Sequence, residues 1–323
     1  MLQALCINRA KKLTRVETAS EIARLLRSRS NLLWVDITNP EEDDIDILVE
    51  VFRFHQLAIE DAIFPQNQPK LESYHSYLHV VVHELSYPSR QSLEVGTHEL
   101  NIFIGRNFVV TSHLNTLVSV SKLFQKYQTK THSLQPASDF LLHAIIDQVV
   151  DGYFPVIDQL EQRIEKLEDE VLAGANKQVL EKIVEIRKNI LTIRNFIQPQ
   201  RKILNLLGRS NTPFVSRSIA TYFRDVYDHV VRISDMLDTY RDVLASTMDA
   251  YVSVVSLRMN EIIKTLTTIT TILMPLTVIT SFYGMNVKIP EFELGRFGYY
   301  ISLGLLVLAL TGMVIFLKRK KWL

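Results

Sequence analysis

The stretch LTTITTILMPLTVITSFYGMN, Leu266–Asn286, decides the architecture of this chain. From Leu266 to Tyr283 it carries no formal charge, and an uncharged apolar run of about 18–20 residues crosses a hydrocarbon core of about 30 Å. The same condition recurs from Tyr299 to Leu317, which predicts a pair of membrane-spanning helices. Between them, Gly284 to Gly298 holds Asn286, Lys288, Pro290, Glu291, Glu293 and Arg296, groups that belong in water and form a short external loop. The tail Lys318-Arg319-Lys320-Lys321-Trp322-Leu323 outweighs the loop in basic charge, so the C-terminus is expected in the cytoplasm. An even number of spans puts the N-terminus there too, and the opening Met1 to Cys6 is too short an apolar stretch for a signal peptide.

Upstream, neither glycine nor proline occurs between Pro213 and Pro275, and a helix of that length runs roughly 90 Å at 1.5 Å per residue. Such a helix begins as a stalk in water and continues into the first span. Asn260, Ile263, Thr267, Thr270, Met274, Thr277 and Ser281 follow alternating steps of three and four, the seam of a helix packed against copies of itself. Hydroxyls in membrane helices also bond back to their own carbonyls or join neighbouring helices. With Asn260 at one end and Asn286 at the other, however, the seam reads as a polar lumen. Two helices cannot enclose a pore, so a ring of protomers is required, with the leucine-, valine- and isoleucine-rich second span facing lipid.

The remainder divides into a mixed domain and a helical one. Leu32 to Ile37, Tyr77 to Leu85, Leu100 to Ile104 and Phe108 to Ser112 read as strands. Asn39-Pro40 followed by Glu41-Glu42-Asp43-Asp44 reads as a helix start. Leu160, Ile164, Leu167 and Val171 mark a helix, and Ala173-Gly174-Ala175-Asn176 the turn of a helical hairpin. The expected organisation is an α+β membrane protein. A cytoplasmic α/β domain covers 1–130, a helical hairpin 131–212, the stalk and first span 213–283, the loop 284–298, the second span 299–317 and the basic tail 318–323.

With 323 residues, 47% hydrophobic and a net charge of +1, the chain has ample length for a core but is too charged for a polytopic transporter. The lone Cys6 excludes an intrachain disulfide and a multi-cysteine zinc site. No nucleic-acid-type basic stretch lies outside the tail, and neither a phosphate-binding glycine loop nor a nucleophile–base pair is evident, so no enzyme is expected. His75, His79 and His83 sit at even spacing and could hold a soft metal, although strand histidines beside aromatics are more often satisfied structural residues.

Tyr283-Gly284-Met285-Asn286, preceded by Met274-Pro275-Leu276-Thr277, followed by Pro290-Glu291 and ending in Lys320-Lys321-Trp322-Leu323, resembles the CorA family of divalent-cation transporters. Leu57-Ala58-Ile59-Glu60-Asp61, Gln68-Pro69-Lys70-Leu71-Glu72 and Phe223 to His229 are similar to family segments as well. The resemblance implies a funnel-shaped homopentamer in the plasma (inner) membrane that passes Mg²⁺, with Co²⁺ and Ni²⁺ as substitutes. Gly284, Met285 and Asn286 would form the selectivity filter, and Asn260 an inner polar ring. Ile263, Leu266 and Met274 would be constrictions, with Thr270, Thr277 and Ser281 as further lumen positions. Asp61 and Asp225 match an acidic pair that binds regulatory Mg²⁺ between protomers, and Asp249 an acidic ring nearer the membrane.

The chemistry agrees, because Mg²⁺ dehydrates reluctantly and neutral oxygens suit an ion that keeps its water. The membrane potential supplies roughly 4.6 kcal/mol per 100 mV for a dication. Zinc-transporting relatives usually replace the methionine of Gly-Met-Asn, so Met285 favours magnesium. A Zn²⁺ transporter of the same architecture and a membrane-anchored coiled-coil sensor are the alternatives.

Overall fold

The computed structural model describes the chain apart from residues 1, 9–12, 17, 29, 65–67, 89–91, 93, 130–135, 210–211, 287–294, 321 and 323. In chain order the N-terminal elements are β1 (Leu2–Ile7), β2 (Leu13–Val16), α1 (Ala19–Leu26), β3 (Leu32–Thr38) and α2 (Glu42–Asp46), the last running into a π-helical turn at Ile47–Val51. Then come α3 (Gln56–Ile63), β4 (Lys70–Ser73), β5 (Leu78–Ser86), β6 (Gly96–Ile104), β7 (Phe108–His113) and α4 (Val118–Thr129). The rest is helical: α5 (Ser138–Asp151), α6 (Tyr153–Ala173), α7 (Lys177–Leu207), α8 (Arg217–Tyr283) and α9 (Arg296–Arg319). Backbone contacts divide the chain into two units, Met1–Glu170 with Asn176–Met248, and Val171–Ala175 with Asp249–Leu323.

In the first unit, β-branched and aromatic residues favour a pleated, half-buried surface. They build a seven-stranded sheet of order β2-β1-β3-β7-β6-β5-β4. Only β3 and β7 run parallel, and the other neighbours are antiparallel. The runs expected as strands are its centre. Alternation along β3 sends Leu33, Val35 and Ile37 to a core shared with Ile22, Leu48, Phe54, Ala58 and Phe103, which pack α1, the π turn and α3 onto one face. Trp34 points to the other face, where Phe124 and Tyr127 of α4 meet it edge-on at 4.9 and 5.5 Å, and its Nε1 donates to Thr111 Oγ1 at 3.1 Å. Full burial of such a ring stabilises by about 1.5–3 kcal/mol before the aromatic geometry adds to it.

Two carboxylates inside the sheet are well bonded, those of Glu84 and Asp36. The Glu84 carboxylate accepts Val118 N at 3.1 Å and Ser119 N at 3.0 Å, together with the Ser119 hydroxyl, and so caps the first turn of α4. Asp36 Oδ1 accepts Thr111 Oγ1 at 2.5 Å and faces His113 Nε2 at 3.2 Å. Burial pushes His113 down, but the Asp36 bond and charge with the Asn115 carbonyl outweigh it, and its pKa stands above the ordinary histidine value. Cys6 lies in β1, buried at 5% exposure, and burial with the nearby Glu21 charge raises its thiol pKa.

The sequence places a helix start at Asn39-Pro40, whereas α2 begins at Glu42. Asn39 adopts a left-handed φ of 51°, and its side chain accepts Asn115 N at 3.0 Å, so this residue ties the β3 end to the β7 loop instead of capping a helix. The helical turn at 173–176 is observed: α6 ends at Ala173, and Asn176 Oδ1 caps α7 by accepting Val179 N at 3.0 Å. Lys182 grips Glu170 at 2.7 Å, and Arg194–Asp238 at 3.4 Å ties α7 to α8. The first half of α8 buries Phe223, Val226, Val230, Ile233, Leu237, Tyr240 and Leu244, a 3–4 stripe within the first unit.

At 67 residues α8 is about 100 Å long. It passes through Pro275, which has no N–H to donate and so leaves the Thr271 carbonyl without its helical partner. By length and composition α8, α9 and Ser138–Ala173 are apolar enough to cross a membrane. Half of the apolar window in Ser138–Ala173 is already buried in protein, against 0% for α8 and 6% for α9.

Candidate functional site

In the second unit the surface of α8 is asymmetric. Thr268 is buried, and Thr271, Ile272, Pro275, Leu276 and Ile279 are partly covered. At 100° per residue these positions lie opposite Ile263, Thr270, Met274, Thr277 and Ser281, with Thr267 and Asn260 at the side of that face, and all seven are exposed in the single chain. The seam predicted from spacing is therefore one open face, and Leu266, 64% exposed, flanks it. Thr270 Oγ1 donates to the Leu266 carbonyl and Thr277 Oγ1 to the Leu273 carbonyl, each at 2.9 Å. A hydroxyl that spends its proton on the helix is left as an acceptor. The outer hydrogens of a hydrated cation need acceptors.

Beyond Tyr283 the helix closes on Gly284, whose N–H donates to the Thr280 carbonyl at 2.9 Å, followed by Met285 N to Phe282 O at 3.4 Å. A Cβ at Gly284 would stand 3.1 Å from the Thr280 carbonyl, so a larger residue would crowd this turn. Gly284, Met285 and Asn286 are all exposed. Lys288, Pro290, Glu291 and Glu293 of the loop, and Lys321 of the tail, lie outside the described residues.

Asp225 is exposed on α8, beside His143 and Asp147 of α5. Burial holds His143 below its ordinary range and Asp147 above its own, while the attraction between the two opposes both shifts. Asp249 is exposed farther along α8, and its carbonyl accepts Ser253 Oγ at 2.9 Å.

Asp61, on α3, lies in a charged cluster at the edge of the sheet. Lys70 Nζ donates to Asp61 Oδ2 at 2.6 Å and Glu72 Oε1 at 3.3 Å, and Tyr74 donates its hydroxyl to Glu72 Oε2 at 3.1 Å. Burial lowers the Lys70 pKa, but these two carboxylates outweigh it and leave the pKa raised. His79 stacks on Phe103 at 4.5 Å and bonds Asn101 through Nε2 at 2.9 Å. Burial pushes its pKa down.

The three histidines at even spacing do not form a site together. His75 falls in an exposed bend before β5, and His83 is buried against Phe196 at 4.3 Å. Glu72, which spacing did not single out, reaches His79 because β4 pairs antiparallel with β5 and puts Glu72 directly opposite it. Strand register is the missing signal, and β4 is too short and polar to announce itself.

Comparison with known proteins gives the same architecture. The family described as CorA-like Mg2+ transporter protein matches residues 29–319. The cobalt/magnesium transport protein CorA of Thermotoga maritima is 31% identical over 304 residues, covering 92% of this chain and 85% of that protein. Its namesake in Methanocaldococcus jannaschii is 27% identical over 294 residues, covering 90% and 92%. The complete structure of the CorA magnesium transporter from Methanocaldococcus jannaschii superposes with a TM-score of 0.87 at 25% identity, covering 99% of this chain and 98% of that one. With its mixed α/β domain, its unbroken 67-residue helix and a family match over nearly its whole length, the chain belongs to the CorA family of divalent-cation transporters.

Proposed function

We propose that this protein is a potential-driven Mg²⁺ channel, also open to Co²⁺ and Ni²⁺, formed by a homopentamer whose α8 helices line the pore. The observation that carries the reading is the open seam on α8, polar where a lipid-facing helix would be apolar and set opposite the partly covered face. Asn286, with Gly284 and Met285, meets the hydrated ion outside. Ser281, Thr277 and Thr270 offer neutral acceptors, Met274, Leu266 and Ile263 narrow the lumen, and Asn260 forms the inner polar ring. Neutral oxygens hold Mg²⁺ weakly enough to release it. α9 faces lipid, and both termini lie in the cytoplasm of a cell whose plasma (inner) membrane carries the channel.

Cytoplasmic Mg²⁺ closes the channel by bridging Asp225 of one protomer and Asp61 of the next, with Asp249 forming a further acidic ring. Carboxylate oxygens suit this hard ion, and Asp225 is exposed. At Asp61 the ion competes with the Lys70 ammonium, which favours release when internal Mg²⁺ falls.

The test is flux into liposomes holding the full-length protein under an inside-negative potential, comparing Mg²⁺, Co²⁺ and Zn²⁺ with and without a pH gradient. Mg²⁺ entry driven by potential and lost in Asn286→Ala is expected. Zn²⁺ flux that follows the pH gradient, or full Mg²⁺ entry in Asn286→Ala, would overturn the proposal.

A further inference from the structure

We propose that Asp61, Glu72 and His79 form a binding site for a transition-metal dication of the Zn²⁺, Co²⁺ or Ni²⁺ class, with the Lys70 ammonium as its occupant in the metal-free chain. The site lies within one chain, on α3, β4 and β5; it shares Asp61 with the proposed gate but needs neither a second protomer nor the pore. Each residue offers one ligand atom, and these atoms all lie within 4.8 Å of one another.

The protonation of His79 follows from its neighbours. Asn101 Nδ2 donates to Glu99 Oε1 at 2.9 Å, which fixes the amide with Oδ1 towards His79. An amide oxygen only accepts, so His79 Nε2 carries the proton and Nδ1 is a bare lone pair. That Nδ1 is fully buried, has no hydrogen-bond partner and lies 3.8 Å from Glu72 Oε2. Two acceptors facing each other across a partly buried gap are a poor arrangement unless a cation enters. Lys70 answers the two carboxylates, and Nδ1 is left over.

A metal ion would satisfy all three. A neutral imidazole whose other nitrogen donates to an oxygen is the usual form of a histidine ligand, and here the Asn101–Glu99 relay supplies that outer support. Stacking on Phe103 holds the ring, and the cross-strand register aligns Glu72 with it. Metal–ligand bonds near 2.1 Å place donors roughly 3–4 Å apart, so Asp61 and Glu72, whose side chains are 22% and 40% exposed, need only a small inward rotation. One nitrogen with two carboxylates suits Zn²⁺, Co²⁺ or Ni²⁺, whereas Mg²⁺ prefers oxygen throughout. Entry of the ion requires the Lys70 ammonium to swing out into water.

The experiment is Zn²⁺ titration of detergent-purified full-length protein in excess Mg²⁺, with X-ray absorption at the zinc edge to read imidazole coordination. Expected are zinc binding with an imidazole signal in the parent, at least tenfold tighter binding in Lys70→Met, and at least tenfold loss in His79→Phe, which keeps a ring against Phe103. Glu72→Gln, at the exposed edge, should weaken binding while leaving the fold intact. Asp225→Ala should retain the signal, which separates this site from the acidic gate. Absence of zinc binding in both the parent and Lys70→Met, or an undiminished imidazole signal in both His79→Phe and Glu72→Gln, would overturn the proposal.

Discussion

Replacing Glu84 by alanine should cost about 3 kcal/mol, and the reasoning can be followed atom by atom. The side chain is 6% exposed and accepts two backbone N–H groups and a hydroxyl at the start of α4. Truncation orphans Ser119 N–H and O–H in a buried position, at about 1–3 kcal/mol for unmet donors, and removes an N-terminal helix cap worth about 1 kcal/mol. Water can reach Val118 N–H, so little is added for it. At about 2–4 °C per kcal/mol for a domain of this size, thermal unfolding of the full-length protein, followed by circular dichroism in detergent, should shift down by about 6–12 °C. Glu84→Gln, which keeps the volume and one acceptor oxygen, should fall between parent and alanine. The control is Glu94→Ala, because Glu94 pairs with Lys188 at 2.6 Å but both side chains are about two-thirds exposed, and solvent screening leaves such a pair nearly worthless. A Glu84→Ala midpoint within a degree of the parent, or equal to that of Glu94→Ala, would refute the argument that satisfaction of buried donors governs this junction.

Asp225→Lys should leave Mg²⁺ entry into liposomes intact while raising the internal Mg²⁺ needed for half-inhibition at least tenfold, and unchanged inhibition would remove Asp225 from the gate. The Asp36–His113 pair predicts a pH dependence. Because the folded pKa of His113 is raised, its stabilisation is complete below the ordinary value of 6.5 and fades as pH rises through the higher folded value. The midpoint difference between parent and His113→Asn should therefore be larger at acidic than at alkaline pH, and a difference that grows with pH would contradict this. Thr277→Val removes the acceptor oxygen but keeps the shape of the side chain, so Mg²⁺ flux should fall several-fold with unchanged assembly on size-exclusion chromatography.

What was legible in the sequence followed the range of the interaction. The central strands announce themselves because they are buried on both faces and read as β-branched runs, while β4, Lys-Leu-Glu-Ser at the sheet edge, has the charged character that edges need and no apolar pattern to detect. β1 has the apolar run, but at the chain start it invited comparison with a leader rather than a strand. The α8 seam was legible because helical spacing is local. The earlier buried stripe from Phe223 to Leu244 has the same spacing, and only the fold shows which stripe is covered. The Asp61–Glu72–His79 cluster was not legible, since it needs the β4–β5 register and the return of α3 onto the sheet.

Cys6 has a practical consequence. As the one cysteine in the chain, buried in β1 with its thiol pKa raised, it forms little of the thiolate that alkylating reagents attack. The native protein is thus already a silent background for thiol chemistry. A cysteine introduced at Asn260, Thr267 or Thr277 would be the sole reactive handle, so the accessibility of the seam can be mapped position by position with no prior removal of native residues.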